Sequence, residues 1–369
     1  MKAIRIHEYG GIDKLVIDEI PEPKPDANEV KIEAKATSLN HLDVWIRQGL
    51  LKHLIGGFAA GAPAPPVRSR GINPTLAHHL NLPLPLVPGS DGCGVVADIG
   101  SKVLSFKKGD RVFWNPGFGC GKCPPCKSGN EALCVHYQIL GENCDGAHRR
   151  FLCLPENRVI PLPSSIPFEE GAAFPLVFMT AWQMLVRKAD IQAGQTALVM
   201  AGASGIGTAA IQIAKLKGAR VIATAGSDET KKKLEGLGAD DVIDHYQEEI
   251  GKRTLELTGG RGVDVVFEHV GAKVWKEALK ALAKGGRLVT CGATTGADVS
   301  INLRHVFMKH QQIIGSTMGN RRDLEEIVQW IGKRKLRPVI HEVLPYTEIG
   351  KGHEMLEKGG IFGKVVLRW

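Results

Sequence analysis

From Met1 to about Pro163, apolar and polar positions alternate with a period of two in short runs such as Glu29-Val30-Lys31-Ile32-Glu33-Ala34 and Gly94-Val95-Val96-Ala97-Asp98-Ile99-Gly100. Gly, Pro and Asp break these runs, so the pattern predicts a β-rich, barrel-like domain. From about Ser164 the rhythm changes to strand, glycine turn, long helix, strand. Thr196-Ala197-Leu198-Val199-Met200 is a continuous apolar run, and a helical stretch carrying Ala210, Ile211, Ile213, Ala214 and Leu216 follows it. Further strands are expected at Arg220–Thr224, Val263–Phe267, Arg287–Thr290 and Gln312–Ser316. Such strand–helix–strand repeats bury a parallel sheet on both faces. The last run, Lys364-Val365-Val366-Leu367-Arg368, reads as a strand returning to the first domain. The expected division is therefore 1–163, 164–318 and 319–369, in an α/β protein with a doubly wound parallel sheet.

A chain of 369 residues exceeds the usual size of one domain. No run of about 18 apolar residues suggests a membrane span, and Met1-Lys2-Ala3-Ile4-Arg5-Ile6-His7-Glu8 alternates like a strand and lacks a secretory apolar core. A cytoplasmic location is the expectation. The net charge of +8 suits any polyanion. No aromatic-interleaved basic patch accompanies it, so nucleic acid is not an expected partner. Between Asp43 and Asp91 there is no acidic residue, and residues 54–79, rich in Gly, Pro and Ala, read as a long loop.

Cys120, Cys123, Cys126 and Cys134 form C-x2-C-x2-C-x7-C. Thiolates two or three residues apart in tight turns converge on a tetrahedral ion, and four of them leave no open coordination position. The pattern predicts one structural zinc; two disulfides, free thiols or an iron–sulfur cluster are the competing uses. Cys93, Cys144, Cys153 and Cys291 read as buried small hydrophobes.

Gly202-Ala203-Ser204-Gly205-Ile206-Gly207 follows a predicted strand and opens a predicted helix. In that context small residues let the backbone approach a dinucleotide pyrophosphate at the helix N-terminus. Gly202, Ser204, Gly205, Ile206 and Gly207 are the expected cofactor contacts. The second strand of the unit ends in Ala223-Thr224-Ala225-Gly226-Ser227, with no carboxylate before Asp228. Ser227 and Lys231 could bind a 2′-phosphate, which favours NADP(H) over NAD(H); the competing reading makes Lys231-Lys232-Lys233 a solvated helix face.

Over nearly its whole length the chain resembles the medium-chain zinc-containing alcohol dehydrogenases and the related quinone oxidoreductases. The matching segments are Ser38-Leu39-Asn40-His41-Leu42-Asp43, Pro88-Gly89-Ser90-Asp91, Lys108-Gly109-Asp110-Arg111-Val112, the four-cysteine lobe, Thr180-Ala181-Trp182 and Gly363-Lys364-Val365-Val366. The resemblance implies a GroES-like catalytic domain around a central Rossmann domain, an active site in the cleft between them, and a homodimer or homotetramer. It also implies that Thr180 contacts the nicotinamide side of the cofactor.

The departures concern catalytic zinc. Where alcohol dehydrogenases of this family bind it with Cys, His and a second Cys or Glu, this chain has Asn40, Ser90 and Leu176. An amide, a hydroxyl and an alkyl group do not make a tight zinc site. The resemblance then points to the quinone oxidoreductase branch, and to NADPH-dependent reduction of a quinone, enone or enoyl thioester. Asn40 would position the carbonyl or the nicotinamide amide, and His41 would serve as a proton source. Asn40 also stands where it could simply cap the helix that begins at His41. Glu268-His269-Val270-Gly271 and Gly315–Asn320 bear a faint similarity to enoyl-thioester reductases. The alternative is a zinc-dependent alcohol dehydrogenase whose metal site is rebuilt from His41, Asp91, Cys93, His136 or Cys144. Gly146-Ala147-His148-Arg149-Arg150-Phe151 departs from the family's usual Gly-x-Tyr-Ala-Glu-Tyr-like run and brings basic groups near the lobe.

Overall fold

The computed structural model describes residues 1–50 and 84–369; the 54–79 segment lies outside the described residues. The chain falls into two compact units, Met1–Leu176 with Asn320–Val328 and Ile340–Trp369, and Val177–Gly319 with Gln329–Val339.

In chain order the first unit contributes β1 (Lys2–Ile6), β2 (Leu15–Glu19), β3 (Glu29–Ser38), α1 (His41–Gln48), β4 (Asp91–Ile99), β5 (Arg111–Trp114), β6 (Gly117–Phe118), α2 (Pro124–Lys127), β7 (Gln138–Ile139), β8 (Phe151–Pro155), β9 (Val159–Pro161) and α3 (Phe168–Ala173). Helix α4 (Pro175–Trp182) follows. The second unit holds β10 (Thr196–Val199), α5 (Gly205–Leu216), β11 (Arg220–Ala225), α6 (Asp228–Leu237), β12 (Asp241–Asp244), α7 (Ile250–Leu257), β13 (Val263–Glu268), α8 (Ala272–Ala281), β14 (Leu282–Thr290), α9 (Leu303–Met308) and β15 (Gln312–Gly315). The chain ends with α10 (Arg321–Gly332), β16 (Ile340–Pro345), α11 (Ile349–Lys358) and β17 (Lys364–Arg368). Among the described residues no helix is long and apolar enough to cross a membrane.

In the first unit one sheet runs β16-β17-β3-β4-β5-β9, with β8 also paired to β3. The alternation seen in sequence is real: along β3, Val30, Ile32 and Ala34 point into a core with Val96, Val112, Trp114, Leu152 and Leu154. The returning strand β17 lies antiparallel to β3, with Val366 opposite Ser38. Val365 and Leu367 pack with Ile4, Leu39, Val44 and Leu356, which ties the C-terminus to α1.

The second unit is a six-stranded parallel sheet in the order β12-β11-β10-β13-β14-β15. This is the 3-2-1-4-5-6 order of dinucleotide-binding sheets, in which ligands bind outside the strand C-termini where the winding reverses. Here the reversal falls between β10 and β13. Leu198, Ile222, Val266 and Leu288, one from each of four strands, share a core with Trp275 and Ala278 of α8, so continuous apolar runs are what a doubly covered sheet requires.

Candidate functional site

Antiparallel register gathers the first cluster. Ser38 pairs with Asp91 across β3 and β4 and with Val366 across β3 and β17, and the Leu39 N–H donates to the Val365 carbonyl at 2.9 Å. Lys364, Asn40 and Asp91 therefore meet at one end of three adjacent strands. Asn40 Nδ2 donates to Asp91 Oδ2 at 3.0 Å, and Lys364 Nζ donates to Asn40 Oδ1 and lies 3.4 Å from Asp91 Oδ2. Ser38 Oγ reaches the same carboxylate oxygen at 3.4 Å, while Asp91 Oδ1 accepts the Leu176 N–H at 2.8 Å. Asp91 is fully buried, and Asn40 and Lys364 keep only 7% and 4% exposure.

Asn40 occupies the N-cap position of α1 and forms a capping box with Asp43. Asp43 Oδ2 accepts the Asn40 N–H at 2.7 Å and Oδ1 accepts the Gly89 N–H at 3.0 Å, pinning the 87–90 loop to the helix start. Burial pushes the Asp43 carboxyl up to about 7 against the pull of those N–H groups and of Lys364. The Asn40 amide also meets the Lys364–Asp91 pair.

His41 begins α1 beside this cluster. It reaches solvent, yet the protein around it lowers its pKa, the Lys364 charge lowers it further, and a bond to the Leu356 backbone opposes both. His148, from the unusual basic run, is buried, with Nδ1 3.0 Å from Thr37 Oγ1 and its pKa pushed down to about 3 by burial and by Lys364. Its neighbour Arg150 pairs with Glu33 at 2.8 Å, so this run serves the sheet.

The residues at the positions that the resemblance assigns to catalytic zinc do not fit the ion. Ser90 is buried with Oγ donating to the Leu140 carbonyl at 2.8 Å, Leu176 offers no donor atom, and Asn40 already faces an ammonium that would repel a dication. The rebuilt site imagined from His41, Asp91, Cys93, His136 and Cys144 is not assembled: among the described residues, the four lobe cysteines form the one group of three or more potential ligands.

That lobe fits zinc well. The sulfurs of Cys120, Cys123, Cys126 and Cys134 lie within 4.8 Å of one another, with Cys123 and Cys134 at 3.6 Å. Zinc–sulfur bonds of about 2.3 Å in a tetrahedron place sulfurs about 3.8 Å apart. The Cys120 and His136 N–H groups donate to Cys134 Sγ at 3.3 Å, a setting suited to a thiolate. A Cβ on Gly119 would come 2.5 Å from Cys126 Sγ and 3.0 Å from Cys134 Cβ, so only glycine lets the chain after β6 pass this close. The remaining cysteines divide. Cys93 is buried as expected, whereas Cys144, Cys153 and Cys291 are only partly buried.

In the second unit the glycine motif sits at the reversal of the sheet. Ser204 caps α5, accepting the Gly207 N–H at 2.9 Å and donating to the Ala201 carbonyl at 2.9 Å. A Cβ on Gly207 would run into the Ala201 carbonyl and come 2.9 Å from Gly202, so the helix enters this turn only with glycine there. Gly205 and Ile206 form the first turn, leaving its N–H groups at the end suited to a pyrophosphate. His269, beyond β13, approaches the same turn, with Nε2 3.3 Å from Ser204 Oγ and 3.1 Å from the Met200 carbonyl. Glu268 holds that loop by accepting the Val270 and Gly271 N–H groups at 2.5 and 2.7 Å.

Ser227 caps α6, accepting the Thr230 N–H at 3.2 Å. Lys231 is half-buried, whereas Lys232 and Lys233 are exposed and Lys233 pairs with Glu229 at 2.6 Å. The loop after β12 adds two residues that sequence reading missed. A Cβ on Gly226 would lie 2.8 Å from the Tyr246 ring and 3.2 Å from the His245 ring, and Tyr246 is 76% exposed. Their signal is spatial, from a neighbouring strand end, and no local motif carries it. Thr180 is buried on α4.

Residues 26–164 match the family described as "Alcohol dehydrogenase GroES-like domain", and residues 205–333 match "Zinc-binding dehydrogenase". A quinone oxidoreductase of Rattus norvegicus is 30% identical over 376 residues, covering all of this chain and 97% of the relative. An NAD-dependent alcohol dehydrogenase of Saccharolobus solfataricus is also 30% identical, over 369 residues, covering all of this chain and 99% of the relative. A crystal structure described as an NAD-dependent alcohol dehydrogenase superposes with a TM-score of 0.90 at 41% identity, covering both chains completely.

Proposed function

The chain belongs to the medium-chain dehydrogenase/reductase family, with the GroES-like and zinc-binding dehydrogenase domains of its alcohol dehydrogenases and quinone oxidoreductases, and from that premise we propose that it reduces a conjugated carbonyl compound without a catalytic metal. The observation that carries this reading is the Lys364–Asn40–Asp91 cluster, built around one of the three positions that the resemblance assigns to catalytic zinc. An alcohol must lose a proton before hydride can leave, and a metal ordinarily makes that loss possible. Conjugate reduction needs only hydrogen-bond donors at an oxygen that gains negative charge. When bound, the nicotinamide cofactor would supply hydride to the β-carbon, and the enolate would then take a proton from solvent at the α-carbon. Asn40 Nδ2 donates to the carbonyl oxygen, and Thr180 orients the nicotinamide. The zinc of the cysteine lobe is a staple and takes no part in the chemistry.

A second reading is alcohol–carbonyl interconversion. The names of the relatives back it better than the first, because the structure at 41% identity over the full length carries the alcohol dehydrogenase name. A panel separates the two: a quinone, an enone and crotonyl-CoA with reduced cofactor, against primary and secondary alcohols with oxidised cofactor, each with and without a chelator. Chelator-insensitive turnover of a conjugated acceptor supports the first reading. Chelator-sensitive turnover confined to alcohols and aldehydes overturns it.

For the cofactor we keep NADP(H), on Ser227, Lys231 and the lack of a carboxylate at the end of β11; the NAD-dependent names of two relatives argue the other way. We also expect a homodimer or homotetramer. Among the described residues β15 ends its sheet with an unpaired edge, and Leu303, Phe307 and Met308 of the adjacent α9 are 72%, 64% and 67% exposed. A monomeric mass by light scattering would refute that expectation.

A further inference from the structure

The cluster contains one member whose role the proposed reaction has not yet used. Lys364 is a lysine with its side chain 5% exposed, held at the start of β17 by register with β3. Its ammonium faces one full carboxylate, Asp91, at 3.4 Å, and it donates to the amide oxygen of Asn40. A buried ammonium is costly to keep unless it is paired and hydrogen-bonded, so its place here calls for an account.

The amide supplies one. An asparagine side chain can point either way round, and the choice is set by its neighbours. A carboxylate accepts only and an ammonium donates only, so Asp91 must take the Nδ2 side and Lys364 the Oδ1 side. Nδ2 carries two hydrogens. Asp91 takes one, and among the described residues the other has no acceptor. An ammonium on Oδ1 also withdraws electrons from the amide and strengthens Nδ2–H as a donor, since hydrogen bonds in a chain polarise one another.

We propose that Lys364 is a positioning residue: it locks the Asn40 carboxamide with its free Nδ2 hydrogen toward the substrate's carbonyl oxygen and sharpens that donor as negative charge develops. This rests on the reading that Asn40 holds the carbonyl of a conjugated acceptor. The arrangement delivers positive charge through an amide, in place of direct contact between a metal and oxygen. Burial lowers the pKa of Lys364, and the charges of Asp91 and Asp43 oppose that shift.

The test compares the wild-type enzyme with K364M and K364R, in the presence of its zinc, by two readouts. In the first, kcat and KM are measured for the conjugated acceptor that the wild type turns over best. K364M is expected to lose about 100-fold in kcat, the scale of losing one oxyanion donor, while KM for the cofactor moves less than about two-fold. K364R, which keeps the charge, recovers most of that loss. In the second, the side-chain amide signals of Asn40 are followed by NMR of protein labelled with 15N at asparagine. K364M should shift the Asn40 pair and speed its exchange, and K364R should restore it. Unchanged amide signals and wild-type kcat in K364M overturn the inference. A loss of stability in K364M with unchanged kcat per folded molecule also overturns it, because a merely structural lysine behaves that way. If K364M does not fold, K364R alone decides: a shifted Asn40 signal with low kcat contradicts the role of charge. If the wild type turns over no conjugated acceptor, the reductase reading fails, while the amide signals still report whether Lys364 fixes Asn40.

Discussion

At the scale of single residues, the first unit is dominated by buried ionisable groups whose environments push them in opposite directions. His353 on α11 is fully buried, both ring nitrogens are unpartnered among the described residues, and burial, aided by Arg47 and His148, pushes its pKa down to about 3. His148 is depressed to the same degree. As pH falls below the ordinary value of 6.5, the unfolded chain binds protons that these folded histidines refuse, so stability is lost down to about pH 3. Asp43 and Glu142, raised to about 7 by burial, act in the opposite sense: their contribution is present at low pH and lost as pH rises through 7. Replacing His353 with leucine should therefore flatten the acid limb of a stability–pH curve by about 1.4 kcal/mol per pH unit. Urea titrations from pH 6.5 to 4.5 would check it, and an unchanged slope would mean that His353 titrates normally when folded.

Lys231 offers a second test at this scale. Its half-burial beside the Ser227 cap separates it from its exposed neighbours. K231A should raise KM for NADPH about ten-fold and leave KM for NADH unchanged. Equal effects on both cofactors would remove the phosphate contact from the account. The sequence pointed to Ser227 and Lys231 because both follow one strand end. It could not point to His245 and Tyr246, which reach Gly226 from another strand of the sheet.

At the scale of elements, the zinc lobe was legible because all its ligands lie within one short segment, and spacing alone brings four sulfurs together. C126S should bind no zinc and lower Tm by about 5 °C or more, since a structural metal contributes folding free energy directly. Metal analysis and thermal melts would check this. Zinc retained at one per chain with an unchanged Tm would place the metal elsewhere. The first α5 turn was equally legible, because strand, glycines and helix follow one another along the chain. The Asn40 helix shows where such reading stops. Its start was correctly located, but the second use of its N-cap amide is not visible in sequence. The partners that hold it, Asp91 and Lys364, stand 51 and 324 residues away.

At the scale of the whole molecule, periodicity foretold the β-rich unit, the parallel sheet and the returning strand, because each depends on which faces are buried. The division of the chain proved less simple than an expected break near residue 163 suggests, since the first unit runs on through α3 to Leu176 and Gln329–Val339 belongs to the second unit. Helix α3 reads as the start of a helical region, yet it packs on β3, β4 and β17. Lys364 was visible only as part of a matching C-terminal segment, and its meaning came from the sheet that brings both ends of the chain together.

The central claim is that hydride goes to the β-carbon of a conjugated carbonyl without a catalytic metal, and the destination of that hydride can be read directly. Enzyme loaded with one zinc per chain would be given an enone and NADPH deuterated at the transferred position, and the product examined by NMR. The account predicts deuterium on the β-carbon of a saturated ketone. Deuterium on the former carbonyl carbon, in an allylic alcohol, would contradict it and make the chain an alcohol dehydrogenase.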